Sequence, residues 1–186
     1  MEEHIHNELK IYPVIHGSLF FAFQGKVIHV DPISRADYSS LPKADVILIT
    51  HHHRDHLEPE LIEKIRKPNT IIIGTEGCSQ ALESYLTMKN GDRREIEDLI
   101  IEAVPAYNIV RERSPGVKFH PKGEGNGYVI TFGDKRVYIA GDTEGIPEMK
   151  DLKNIDIAFV PINLPYTMTP EEAAECVKEF RPRVVI

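Results

Sequence analysis

Short runs rich in β-branched and aromatic residues, punctuated by glycine, open the chain. Residues 9–14, 18–23 and 26–30 are separated by Gly17 and Gly25, and this spacing predicts consecutive antiparallel strands. Residues 46–50 are an apolar run typical of a buried strand, and 70–73 are a second short strand. Segments 59–66 and 76–88 carry helical spacing. Further on, 98–104 and 128–132 read as strands, and Gly133-Asp134 is a two-residue turn into 136–140, a hairpin signal. Residues 156–160 form one more strand, and 184–186 begin a last one. Between them, Thr169-Pro170-Glu171-Glu172 predicts a helix start, with a capping hydroxyl and proline at the first position. The series fits two β-sheets with helices outside.

Composition narrows the class. A chain of 186 residues is one domain on the usual prior. It has 41% hydrophobic residues, no Trp, and no apolar run near the ~20 residues a membrane span requires, so it reads as soluble and globular with no membrane partner. The start, Met1-Glu2-Glu3-His4-Ile5-His6, lacks the basic and apolar regions of a secretory leader, and a cytoplasmic location is expected. Cys78 and Cys176 are far apart and outside any Cys-x-x-Cys pair, so reduced thiols are expected. A net charge of −7 argues against a general nucleic-acid role. Arg93-Arg94 and Arg111-Glu112-Arg113 are local basic candidates, each more readily a solvated loop.

The apolar run at 46–49 ends in His51-His52-His53-Arg54-Asp55-His56, five metal-capable side chains within six positions. If the chain continues briefly extended, His51 and His53 project to one side and can share an ion, while His52 faces away. Asp55 and His56 follow along a turn, where a second ion could take them; paired metals about 3.5–4 Å apart are a familiar hydrolytic arrangement. Imidazole nitrogen and carboxylate oxygen suit Zn²⁺, one or two ions, with Mn or Fe as alternatives. A histidine-rich tract can also be a surface loop or a tag. This one is internal and directly follows a strand, which favours a built metal site. Asp142 is a second pole, after Gly141 at the end of the strand 137–140. It could equally cap a helix beginning near Thr143; the upstream cluster favours the ligand.

The pattern His51-x-His53-x-Asp55-His56, with Thr50 before it, resembles the signature of the metallo-β-lactamase-fold hydrolases. Asp31-Pro32, Val104-Pro105-Ala106-Tyr107-Asn108, the segment 123–130 and Tyr138-Ile139-Ala140-Gly141-Asp142-Thr143 resemble further stations of that family, in order and over most of the chain. Pro105-Ala106-Tyr107 and the stretch 119–128 are most similar to the small Zn-dependent hydrolase branch that includes the ascorbate-6-phosphate lactonase type. The resemblance implies an α+β fold, an αββα sandwich of two mixed β-sheets flanked by helices, in which Asp142 bridges two metals. It also implies a further histidine ligand between the motif and Asp142. Asn108 stands where such a histidine can stand, and His120 is the only histidine between His56 and Asp142. His120 remains open between metal ligand, proton carrier or anion donor in the pocket, and exposed side chain. Family members commonly carry a last histidine beyond a terminal strand like 183–186. The expectation is therefore one domain, 1–186, lacking its C-terminal strand end and last metal ligand.

Zinc lowers the pKa of bound water to roughly 7, which supplies hydroxide as the nucleophile at neutral pH. Asp55 would orient it, and Asp55 and His120 are the catalytic candidates. No Gly-x-Ser-x-Gly occurs, which disfavours a covalent acyl-enzyme. Substrate-contact candidates are His16, in a family-like His-Gly-Ser station, Asn108, Lys122 in a glycine-rich loop able to act as a lid, and Asn163 and Tyr166. The expected function is metal-dependent hydrolysis of a small anionic ester, lactone or phosphodiester. The alternatives are a metal-dependent nuclease, which the acidic charge disfavours, and a noncatalytic or redox member of the fold. Redox di-iron relatives typically carry Glu at the second motif histidine, so His53 favours hydrolysis. Homo-oligomerisation is left open.

Overall fold

The computed structural model describes residues 4–6, 9–96 and 98–186, with side chains from residue 9 onward. The reading of residues 1–3 as no part of a leader lies outside the described residues. The chain divides into two compact units, Met1–Met88 and Lys89–Ile186. Each carries a mixed sheet and few helices, an α+β architecture as the resemblance implies.

The first unit holds a seven-stranded sheet with strands in chain order: β1 (His4–His6), β2 (Leu9–Ile15), β3 (Ser18–Phe23), β4 (Lys26–Val30), β5 (Ala44–Leu48), β6 (Arg66–Gly74) and β7 (Leu86–Thr87). The glycine-punctuated opening forms the antiparallel meander β1–β4; from β4 to β7 the pairing is parallel. Strand β5 is central, and Val46, Ile47, Leu48 and Ile49 are all buried, which is why it reads as a continuous apolar run rather than an alternating one. Helix α1 (Pro59–Ile65) buries Leu61, Ile62 and Ile65 in a cluster with Ile47, Ile49 and Ile72. Strands β2–β6 and helix α1 thus lie where the sequence pattern puts them, and β1 precedes the first strand it predicts.

Segment 76–88 does not form the predicted helix. It makes one 3₁₀ turn at Glu76–Gln80 and then runs on to β7, whose Leu86 pairs with Ile73. Gly77, Ser79 and Ser84 are weak helix formers, and the strand pairing overrides the apolar spacing.

The second unit holds a six-stranded sheet in the order β15-β14-β13-β12-β9-β8. The strands are β8 (Arg93–Ile96), β9 (Leu99–Ala106), β12 (Gly125–Phe132), β13 (Lys135–Ile139), β14 (Ile157–Phe159) and β15 (Val184–Val185). β10 (Glu112–Ser114) and β11 (Val117–Lys118) make a separate two-stranded ribbon. The hairpin at Gly133-Asp134 joins β12 to β13 in register Phe132–Lys135. Helix α2 (Pro170–Phe180) starts on a full capping box: the Thr169 hydroxyl accepts from the Glu172 amide, and the Glu172 carboxylate accepts from the Thr169 amide. It buries Ala173, Cys176 and Phe180.

The basic pairs take structural places. Arg93 and Arg94 lie exposed on β8, at the edge of the sheet, where charge blunts unwanted strand pairing. Arg111 is bound to Glu172 and Glu144. Both cysteines are free and buried; burial pushes the Cys78 thiol up and that of Cys176 to about 11, so both stay as inert thiols. Among the described residues, no helix is long and apolar enough to cross a membrane.

Candidate functional site

In the first unit the chain leaves β5 and folds the motif into a turn, with the amides of His56 and Leu57 both donating to the His53 carbonyl at 2.9 Å. The turn gathers the rings. His51 and His53 centroids lie 4.6 Å apart, His51 and His56 4.2 Å. His51 and His56 are buried and His53 is half-buried. His52 is exposed and rests over Gly77, where a Cβ would come within 2.7 Å of its ring nitrogen.

The rings are aimed by Asp31, fully buried at the end of β4. Its φ of +44° lies in the left-handed region that side-chain-bearing residues rarely adopt, and such strain persists where surrounding bonds hold it. Here its carboxylate accepts from the Thr50 amide (2.8 Å), the Thr50 hydroxyl (2.6 Å) and His56 Nδ1 (2.8 Å). A carboxylate only accepts, so His56 carries its proton on Nδ1 and presents a lone pair on Nε2. The Thr50 hydroxyl has spent its proton on Asp31 and therefore accepts from His51 Nδ1 at 3.0 Å, which leaves the lone pair of His51 on Nε2 as well. That Nε2 lies 3.1 Å from His53 Nδ1. One buried carboxylate thus fixes the tautomer of two histidines, the outer support that metal-ligating imidazoles usually have.

His16, at φ +52°, places Nε2 3.2 Å from an Asp55 carboxylate oxygen, and its ring centroid lies 5.0 Å from that of His56. Donor atoms of His16, Asp55 and His56 all lie within 4.8 Å of one another. Gly17 makes room for this group, because a Cβ there would sit 2.9 Å from His56 Cε1 and 3.2 Å from Nδ1.

In the second unit, Gly141, at φ +66°, turns the chain after β13 into Asp142, and no helix starts at Thr143. His120 is buried, with Nε2 3.4 Å from an Asp142 carboxylate oxygen. Asn108, also buried, accepts at Oδ1 from the His120 amide (2.7 Å) and contacts His120 Nδ1 at 2.9 Å. Its Nδ2 donates to the Tyr166 carbonyl (2.8 Å) and to Glu144 (3.1 Å). The buried Glu144 carboxylate also accepts from three consecutive amides, of Ile109, Val110 and Arg111, at 3.1, 3.0 and 2.7 Å.

The remaining candidates lie around this group. Lys122 donates to Glu148 at 2.7 Å and stands 4.7 Å over the Tyr107 ring, and the Glu148 carboxylate holds its ammonium above the usual lysine range. Asn163 and Tyr166 flank an exposed turn, with the Tyr166 ring edge-on to Phe119 at 4.9 Å. Asp31 and Thr50 stand out in the sequence as stations of the family resemblance, but nothing there gives them a role. Glu144 had no sequence signal beyond its nearness to Asp142.

The donor chemistry fits a divalent first-row metal. In each unit, metal-capable atoms face one another: His51 Nε2 and His53 Nδ1 at 3.1 Å, and a ring nitrogen of His120 and a carboxylate oxygen of Asp142 at 3.4 Å. A proton or a metal ion can join each pair, and imidazole with carboxylate is a zinc, manganese or iron set.

Residues 10–186 match the family model of the beta-lactamase superfamily domain. A relative from Enterococcus faecalis, a UPF0173 metal-dependent hydrolase, is 34% identical over 167 residues, which cover 86% of this chain and 73% of that protein. A crystal structure from Parabacteroides distasonis, provisionally assigned as a metal-dependent hydrolase, superposes with a TM-score of 0.90 at 50% identity, covering 95% of this chain and 80% of that one. Igni18, a metallo hydrolase from Ignicoccus hospitalis, superposes at 0.74 with 26% identity, again over 95% and 80%.

Proposed function

Because this chain belongs to the beta-lactamase superfamily, with relatives named as metal-dependent hydrolases, we propose that it is a zinc-dependent hydrolase of a small anionic ester, lactone or phosphodiester, working as one domain. The metal ligands are His51, His53, Asp55 and His56 in the first unit, and His120 and Asp142 in the second. The observation that carries the reading is the Asp31–Thr50 scaffold. It spends buried polar groups on holding His51 and His56 in the tautomer that offers Nε2, an arrangement a merely structural histidine cluster does not need. Zinc bound there would acidify water and polarise the scissile carbonyl or phosphoryl oxygen.

The chain's own groups do the rest. The Asp55 side chain, half exposed and held by His16, orients the attacking water and accepts its proton. His120, with Nε2 3.4 Å from an Asp142 carboxylate oxygen, is the second side chain assigned to the catalytic centre. The substrate is contacted by His16, Lys122, Asn163 and Tyr166, with Asn108 acting on that turn through the Tyr166 carbonyl. Because Lys122 is already paired with Glu148, an anionic substrate competes with that carboxylate for the ammonium.

Metal analysis of the purified chain is expected to give one or two zinc ions per molecule, and a stoichiometry near zero with intact folding would reject the reading. A panel of lactone, phosphodiester and thioester substrates then tests the roles. His53→Ala and Asp55→Ala are each expected to lose turnover by at least ~10²-fold, and equal turnover in parent and both variants would remove those residues from the chemistry.

A further inference from the structure

We infer that Asn108 is the positioning residue for His120: it dictates which ring nitrogen of His120 is offered as a donor atom, and the same amide ties that ring to the turn bearing Asn163 and Tyr166. The inference rests on the reading of His120 as a metal ligand and adds to it a residue that does not itself touch the metal.

The argument turns on the direction of the Asn108 amide. Oxygen and nitrogen of an asparagine side chain must be told apart by their partners, and here two partners are unambiguous. The backbone amide of His120 can only donate, so the atom it meets at 2.7 Å is the oxygen. The backbone carbonyl of Tyr166 can only accept, so the atom it meets at 2.8 Å is the NH₂ nitrogen. With the amide fixed, Oδ1 also faces His120 Nδ1 at 2.9 Å, and Nδ1 must bring the proton. The neutral ring is then the Nδ1–H tautomer, and its lone pair lies on Nε2, the nitrogen turned toward Asp142.

Asparagine suits this position better than any other side chain of its size. Alanine has no acceptor for the ring. Aspartate could accept from both His120 N–H groups, but it has no proton for the Tyr166 carbonyl and would set a second carboxylate 3.1 Å from Glu144. Glu144 cannot be the one to yield, since three consecutive backbone amides and the Asn108 NH₂ all donate to it. The amide is therefore clamped on its donor side by Glu144 and Tyr166 and passes that fixed orientation to the ring on its acceptor side.

The test reads the ring directly. In ¹⁵N-labelled, chelator-treated parent protein, long-range ¹H–¹⁵N correlation of the histidine rings, with His120 assigned through His120→Gln, is expected to show the Nδ1–H tautomer. An Nε2–H ring in the parent overturns the inference without recourse to any variant of Asn108. Asn108→Ala is expected to lose the tautomer preference and to bind Zn²⁺ 10–100-fold more weakly in competition with a chromophoric chelator. Asn108→Asp keeps an acceptor for the ring but loses both donor-side bonds, and it is expected to weaken zinc binding as well; an Asp or Ala variant with the parent's tautomer and zinc affinity also overturns the inference. If the parent takes up no zinc, the hydrolase reading falls, while the ring tautomer still decides the role of Asn108.

Discussion

The two units aim their metal-capable side chains by opposite means. In the first, the histidines are contiguous in sequence and one carboxylate serves two of them: Asp31 holds His56 directly and His51 through Thr50. In the second, the candidates are isolated in sequence, and the carboxylate that anchors them, Glu144, reaches His120 only through the Asn108 amide. The difference teaches that the number of metal-capable residues in a motif says little about how firmly any one is oriented. A single histidine with a relay behind it is as constrained as a member of a cluster.

The sharpest way to break this comparison is to remove each anchor. Asp31→Ala strands three buried donors and is expected to lower unfolding free energy by roughly 3–5 kcal/mol in urea titrations, while Glu144→Ala strands one buried and three part-buried donors and is expected to cost roughly 1–3 kcal/mol. Zinc competition should separate them: Asp31→Ala disorders two rings at once and is expected to lose more affinity than Glu144→Ala, which acts on one ring through an intermediary. Equal losses would mean that the two scaffolds do not differ as described.

How much of this the amino-acid pattern could reveal follows from how far apart the bonded partners stand. The meander β2–β4, helix α1, the hairpin between β12 and β13 and the capped start of α2 rest on neighbours in sequence, and each is readable there. So is the cluster at residues 51–56. Asp31 bonds Thr50 across 19 residues and His56 across 25, while Glu144 reaches Asn108 across 36; no local period records such pairings. The same reason hides β7, β8 and the β10–β11 ribbon, which are short, polar or edge strands defined by their partners. Segment 76–88 fails in the opposite sense, since its local spacing is helical and strand pairing at Leu86 decides the outcome.

A smaller probe touches only the first unit. Gly17→Ala puts a methyl group 2.9 Å from His56 Cε1, and overpacking of this kind is expected to lower stability by about 1–3 kcal/mol. Because the ring that must yield is held by Asp31, zinc affinity should fall along with the urea midpoint. A loss of stability with unchanged affinity would show that His56 gives way without consequence for the metal.

The smallest expected effect concerns pH. His29 in the first unit is fully buried between Phe20 and Tyr38 with Nε2 on the Pro42 carbonyl, and desolvation holds its pKa below the ordinary value of 6.5. Above that value the ring is neutral whether folded or unfolded, and stability is untouched. As pH falls through about 6.5 and below, the unfolded chain takes up a proton that the folded ring resists, and stability declines toward the lower folded pKa. In the second unit, burial instead pushes the Tyr138 hydroxyl and the Cys176 thiol upward, which keeps both neutral throughout the acid range. The chelated parent should therefore lose urea midpoint between pH 7.5 and 5.5, and His29→Gln should lose less. Parallel profiles would place the acid sensitivity elsewhere.

The three amides that converge on Glu144 also bear on the time scale of the molecule. Residues 109–111 belong to neither a helix nor a sheet ladder, and Ile109 and Val110 are exposed to solvent. Their N–H groups nonetheless end on a buried carboxylate, so exchange with deuterium requires those bonds to break and leaves that carboxylate short of its donors. An irregular surface segment thus opens only as often as the buried network beneath it, and the protection of three loop amides serves as a clock for how long His120 keeps its orientation.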